Sequence, residues 1–416
     1  MKSPTHKPTP QDCSRLGLRT AALALMAFSL IACGNSVPPL AGNDVSTPSP
    51  APAPTPTPAP TPASSKIDCA PITLPSARGA GSEIDGPPPA YDWQGDWQSC
   101  EVLFTSKMHG SQLYAVLFAP GNINLQSDKL PVVVIAPGSA TGLQSQYQWS
   151  ARELAGHGYI TLSVDPQGVG RSEATGSQPQ AADNYIDAVV SSLDYLLSAE
   201  NPLQANVDAS RMGAAGHSLS ARVLSFLQGE DSRIQAIVAW DNLSSTVEGD
   251  AGVSSGGGTC GSVIGGEVPL MSRPATPRVP AMGQASDAEP GCDPMNTDPE
   301  LKKTGYSVWR NAGVSSMQIV VFGKAHADWG QSQVADASSE SPKSKELQLF
   351  QHYTRAWFDL WLKKDLGAIK ALTATQVFEN TPENIFSVDF RSALYLPNAG
   401  IDCPDILTGG CPAFAP

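Results

Sequence analysis

The stretch Met212-Gly-Ala-Ala-Gly-His-Ser-Leu-Ser-Ala-Arg-Val-Leu-Ser-Phe226 decides the fold. Met212 to Gly216 reads as a short strand and Ser220 to Gly229 as a helix, with Gly216-His217-Ser218-Leu219-Ser220 as the tight turn between them. Small residues flank Ser218 because larger side chains there would collide with the strand and the helix that meet at the turn. A serine hydroxyl is too weakly acidic to attack a substrate unaided, so a serine displayed in this way calls for a positioned base, usually histidine.

Outward from this turn the pattern alternates. Upstream, Pro131-Val-Val-Val-Ile-Ala136 is the continuous β-branched run of a strand buried on both faces of a parallel sheet. Residues 148 to 156 read as helix and Tyr159 to Val164 as strand. Ala182 to Ser198 forms an amphipathic helix with Tyr185, Ala188, Val189, Leu193, Leu196 and Leu197 on one face. Two earlier strands, Glu101 to Thr105 and Gln112 to Phe118, flank a turn near His109-Gly110-Ser111. Downstream come strands at Gln235 to Trp240, Val279 to Gln284 and Met317 to Phe322, then an aromatic helix around Leu347 to Leu362. The order is that of an α/β protein with a doubly wound, mostly parallel sheet. A Gly-rich insertion, Asn242 to Arg278, interrupts it and reads either as a lid or rim over a pocket or as a plain surface loop.

Six histidines are available as the base. His6 lies in the leader, His109 in the early hairpin, His157 at a helix end and His352 on the last helix, while His217 adjoins Ser218 and is expected to point away from it. His326 remains, in Val321-Phe-Gly-Lys-Ala-His-Ala-Asp-Trp-Gly330, just after the last predicted strand. The base needs a carboxylate to fix its tautomer, and the chain order Ser, acid, His directs attention to loops after the intervening strands. Asp287, after the strand Val279 to Gln284, is the preferred acid; Asp241, at the end of the preceding strand, is its rival. Two backbone N–H groups must receive a developing oxyanion, and these are assigned to Leu219 and to Ser139 in Ala136-Pro-Gly-Ser-Ala-Thr141. Asp165-Pro-Gln-Gly-Val-Gly-Arg-Ser172 reads as a turn that shapes the structure.

These segments, together with Leu154-Ala-Gly-His-Gly-Tyr-Ile-Thr-Leu-Ser-Val-Asp165 and Val388-Asp-Phe-Arg-Ser392, resemble the α/β-hydrolase branch that includes bacterial cutinases, polyester hydrolases and dienelactone-hydrolase-like esterases. The resemblance covers most of residues 100 to 395 and implies a serine esterase that needs no cofactor and takes a small-molecule or polymeric ester. Cutinase-like members usually carry an aromatic residue where Ser139 stands and Met-Gly where Leu219-Ser220 stands.

The ends of the chain speak to location. Lys2, Lys7, Arg15 and Arg19 precede the apolar run Ala21 to Ala32, the pattern of a secretory leader. That run is too short for a membrane span, which needs roughly 20 residues. Leu30-Ile-Ala-Cys33 resembles a bacterial lipobox, which implies lipidation of Cys33 and attachment to the cell envelope. Pro38 to Ser65 is nearly all Pro, Thr, Ala and Ser, a composition suited to an extended spacer. The expected division is a leader over residues 1–32, a lipidated cysteine and linker over 33–65, and a catalytic domain over 66–416.

Once Cys13 and Cys33 are set aside, Cys69, Cys100, Cys260, Cys292, Cys403 and Cys411 form an even set suited to an oxidising compartment, and sequential pairing is favoured because each pair brackets a loop. No spacing of Cys and His suggests a zinc site, and the acidic cluster Asp293, Asn296, Asp298 and Glu300 matches no calcium loop. The formal net charge is -13; removal of the leader takes away four basic residues and one acidic residue, leaving the chain near -16. Such a surface argues against nucleic acid as a partner. A monomeric chain is expected.

Overall fold

The run Val132 to Ile135 lies at the centre of the sheet, and its four side chains divide between the two faces. In the computed structural model Val133 and Ile135 join one hydrophobic core, and Val132 and Val134 join the other. A strand side chain alternates faces with every residue, so a strand covered on both sides must be apolar throughout. The structure describes residues 66–79, 96–139, 142–175, 182–245, 273–286, 304–321, 324–330, 342–372, 391–396 and 401–403. All of them belong to one unit, Thr61–Pro416.

The strands are β1 (Trp97–Thr105), β2 (Gln112–Pro120), β3 (Leu130–Ala136), β4 (Ile160–Val164), β5 (Val207–His217), β6 (Ile234–Trp240), β7 (Ala281–Ser286), β8 (Ser316–Val321), β9 (Arg391–Leu396) and β10 (Ile401–Cys403). They form a single sheet in the order β1-β2-β4-β3-β5-β6-β7-β8-β9-β10. From β4 to β8 the neighbours run parallel. The pairs β1·β2, β2·β4, β8·β9 and β9·β10 are antiparallel. The doubly wound α/β order read from the sequence is present, with β9 and β10 as strands the pattern did not reveal. Each is short, and β10 has only three residues.

Helices α1 (Gln148–Gly156), α2 (Ala182–Leu197), α3 (Leu219–Glu230), α4 (Thr304–Asn311), α5 (Pro342–Trp361) and α6 (Ala368–Leu372) complete the layers. The core on one face gathers Trp149 and Leu154 of α1 with Phe350, Trp357 and Phe358 of α5; that on the other gathers Ala188, Val189 and Leu193 of α2 with Ala221 and Leu224 of α3. α5 packs closely on β5, since a methyl group at Gly213 would lie 2.8 Å from Phe358 and 2.9 Å from Leu362.

Cys69 and Cys100 form a disulfide. Cys260, Cys292 and Cys411 lie outside the described residues, as do the leader, Cys33, the Pro-rich linker, most of the 242–278 insertion and the 293–300 acidic cluster. Among the described residues no helix is long and apolar enough to cross a membrane, and no group of three or more His, Cys, Asp or Glu is placed to hold a metal ion.

Candidate active site

The turn after β5 places Ser218 at the carboxyl edge of the parallel strands, with backbone angles φ 56 and ψ -117. A non-glycine residue in that region is strained, and the strain is held by its surroundings. Gly216 cannot carry a side chain, because a methyl there would lie 2.7 Å from Cβ of Ser220. Ser218 N–H donates to the carbonyl of Trp240 at 2.9 Å, tying the turn to the end of β6.

His326 opens a 3₁₀ turn, His326–Trp329, that follows β8. The turn is anchored by Trp329, which is fully buried and stacks on Phe350 with centroids 4.6 Å apart. The Trp329 carbonyl accepts the Trp149 indole N–H at 3.1 Å. Held in this way, His326 Nε2 lies 2.9 Å from Ser218 Oγ. On the other side of the ring, Nδ1 lies 2.6 Å from Asp241 Oδ2. With a carboxylate facing Nδ1, that nitrogen carries the proton and Nε2 is free to accept the Ser218 hydroxyl proton.

Asp241 thus stands where the sequence reading preferred Asp287. β6 and β7 are adjacent and in register, with Trp240 paired to Gln284. Their ends therefore reach the same point of the sheet edge, and the residue one step past β6 faces His326. Asp241 is fully buried and takes φ 39, a second strained non-glycine residue in the site. Its Oδ1 accepts the Ser286 N–H at 3.0 Å and its Oδ2 the Ser286 hydroxyl at 2.9 Å. Asp287 itself lies outside the described residues.

Leu219 is the first residue of α3, so its N–H has no acceptor within the helix and sits at the positive end of the helix dipole. Ser139 follows Gly138, where a methyl would lie 2.8 Å from His217 Nδ1 and 3.4 Å from Ser218 Cβ. Only glycine lets this loop approach Ser218 so closely. The Asp165 turn is structural: its carboxylate accepts the N–H groups of Gln144 at 2.8 Å and Arg171 at 3.1 Å.

His217 directs both ring nitrogens to partners other than Ser218. It is buried, and its ring lies 4.6 Å from that of His326. Its Nε2 is 2.8 Å from the His326 carbonyl and its Nδ1 is 2.7 Å from the Tyr147 hydroxyl. Nε2 must be the donor toward a carbonyl, which leaves Nδ1 to accept from Tyr147. Burial, reinforced by the nearby His326, pushes the His217 pKa down to about 3, so the ring is neutral at working pH. His217, Tyr147 and Ser286 are the supporting residues that residue-type reasoning did not find, because each acts through a contact distant in sequence.

Residues 110–248 match the model of a family described as PETase, PET hydrolase-like. The fold is of the α/β-hydrolase type. The matched segment includes Ser218 and Asp241, and His326 follows it. Among curated proteins, the chain is 30% identical over 117 residues to cutinase est1 of Thermobifida alba, an alignment covering 27% of this chain and 36% of that protein. It is 32% identical over 88 residues to cutinase est2 of the same organism, covering 21% of this chain and 26% of the relative. It is 30% identical over 88 residues to cutinase cut1 of Thermobifida fusca, covering 21% and 24%. The chain therefore spans about a third or less of the length of the relatives it matches.

Proposed function

We propose that this chain is a serine hydrolase that cleaves carboxylic esters through Ser218, His326 and Asp241. The observation that carries the reading is the continuous line from Ser218 Oγ through the His326 ring to Asp241 Oδ2, at 2.9 and 2.6 Å. His326 Nε2 takes the Ser218 proton as Oγ attacks the ester carbonyl, and Asp241 stabilises the imidazolium that forms. The N–H groups of Leu219 and Ser139 receive the oxyanion. Collapse of the tetrahedral intermediate expels the alcohol, which takes the proton from Nε2. A water molecule, deprotonated by His326, then attacks the acyl-enzyme and regenerates Ser218. No step requires a metal or cofactor.

The names of the family and of the relatives, PET hydrolase-like and cutinase, support an ester as substrate and bring polymeric esters within its range. The leader and Cys33 support an exported enzyme held to the envelope by lipid, with the Pro-rich segment as spacer. Hydrolysis of p-nitrophenyl esters of graded acyl length tests the reading. Turnover by the wild-type protein and its loss in Ser218→Ala are expected. No turnover of any ester would overturn it in favour of a non-catalytic surface protein on the same scaffold.

A further inference from the structure

Ser220 occupies the position where the elbow motif has its second glycine, and it is fully buried. Its hydroxyl donates to the Pro137 carbonyl at 2.5 Å. The same Pro137–Gly138 peptide is engaged at its other end, where Gly138 N–H donates to the Tyr147 hydroxyl at 3.2 Å. The next peptide is held too: the Gly138 carbonyl accepts the Tyr185 hydroxyl at 3.3 Å. Three side chains thus converge on two consecutive peptides, one from α3, one from the turn before α1 and one from α2.

Peptide planarity makes the last contact decisive. In a trans peptide the carbonyl and the following N–H point in opposite directions. A hydroxyl fixed on the Gly138 carbonyl therefore sets the direction of the Ser139 N–H, the donor assigned to the oxyanion. We propose that Ser220, Tyr147 and Tyr185 are positioning residues that preset the oxyanion loop, with the Ser220 hydroxyl supplying a clamp that glycine at that position does not have. The network extends further, since Tyr147 also donates to His217 Nδ1, and His217 holds the His326 carbonyl at 2.8 Å. One chain of hydrogen bonds thus spans the loop bearing the second oxyanion donor and the turn bearing the base.

The proposal rests on the ester-hydrolase reading and adds to it a preorganised anion site, whose value lies in donors that need no rearrangement as charge develops. The test is steady-state kinetics of Ser220→Ala and Tyr185→Phe on a p-nitrophenyl ester, with inhibition by an alkyl boronic acid, which forms a tetrahedral adduct with the serine. Each variant is expected to lower kcat on the order of ten-fold, with KM within about two-fold, and to weaken the boronic acid by the same factor. Because both residues orient one loop, the double variant should lose less than the product of the two single losses. Tyr147→Phe provides a third reading should one variant fold poorly. Undiminished kcat in the single variants, or a fall in kcat with boronic acid affinity intact, would overturn the clamp while leaving the hydrolase standing. An inactive wild-type protein would overturn the hydrolase and the clamp together.

Discussion

Ser286 engages both carboxylate oxygens of Asp241, its N–H reaching Oδ1 at 3.0 Å and its hydroxyl reaching Oδ2 at 2.9 Å. The carboxylate is thereby fixed with Oδ2 also 2.6 Å from His326 Nδ1. Asp241→Asn would present an amide that cannot hold the same tautomer of His326, and kcat should fall by about 10⁴-fold. Asp287→Asn should leave kcat within a few-fold of wild type. Ser286→Ala should cost on the order of ten-fold by loosening the acid. Kinetics of the three variants on one ester decide the matter, and the reverse ranking of the two aspartates would return the acid to the loop after β7.

His217 makes acid sensitivity a property of the fold. Its pKa drops from 6.5 to about 3 on folding, chiefly through burial. Between those values the unfolded chain binds a proton there that the folded chain does not, so stability is complete above about pH 6.5 and declines as pH falls. The slope from this group is about 1.4 kcal/mol per pH unit. Denaturant titrations from pH 7 to pH 4 should show a shallower decline for His217→Gln than for wild type. Parallel curves would contradict the assignment.

The disulfide between Cys69 and Cys100 closes a segment with a sequence separation of 31, joining residue 69 to β1 at the edge of the sheet. Loop closure of that length should contribute about 3–4 kcal/mol. It lies far along the sheet from Ser218, with β2, β4 and β3 between β1 and β5. Replacing both cysteines with serine should lower the melting temperature and leave kcat at low temperature unchanged. A large loss of kcat in the folded variant would show that the edge strand reaches the active site.

How far the sequence could be read follows from which contacts are local. The strand at Val132 to Ile135 and the turn around Ser218 declare themselves because burial on two faces and a steric bottleneck each leave a mark on neighbouring residues. His326 could be found because few histidines compete for its role. The acid could not be settled in the same way. Asp241 and Asp287 each follow a strand, and nothing local in the sequence marks Asp241 as the carboxylate whose Oδ2 lies 2.6 Å from His326 Nδ1. The supporting role of His217 was not legible for a related reason: its partners Tyr147 and the His326 carbonyl are 70 and 109 residues away in sequence. Ser220 carried a signal, a hydroxyl where the motif has glycine, but its meaning depended on the Pro137 carbonyl, 83 residues distant.

The central claim is that Ser218 is a nucleophile activated by His326. Its most direct measurement is the mass of the intact protein after treatment with a fluorophosphonate, followed by peptide mapping of the adduct. One phosphonyl group per chain is expected, located on Ser218, absent in Ser218→Ala and formed far more slowly in His326→Ala. An unmodified wild-type protein, or an adduct on another residue that survives Ser218→Ala, would contradict the account.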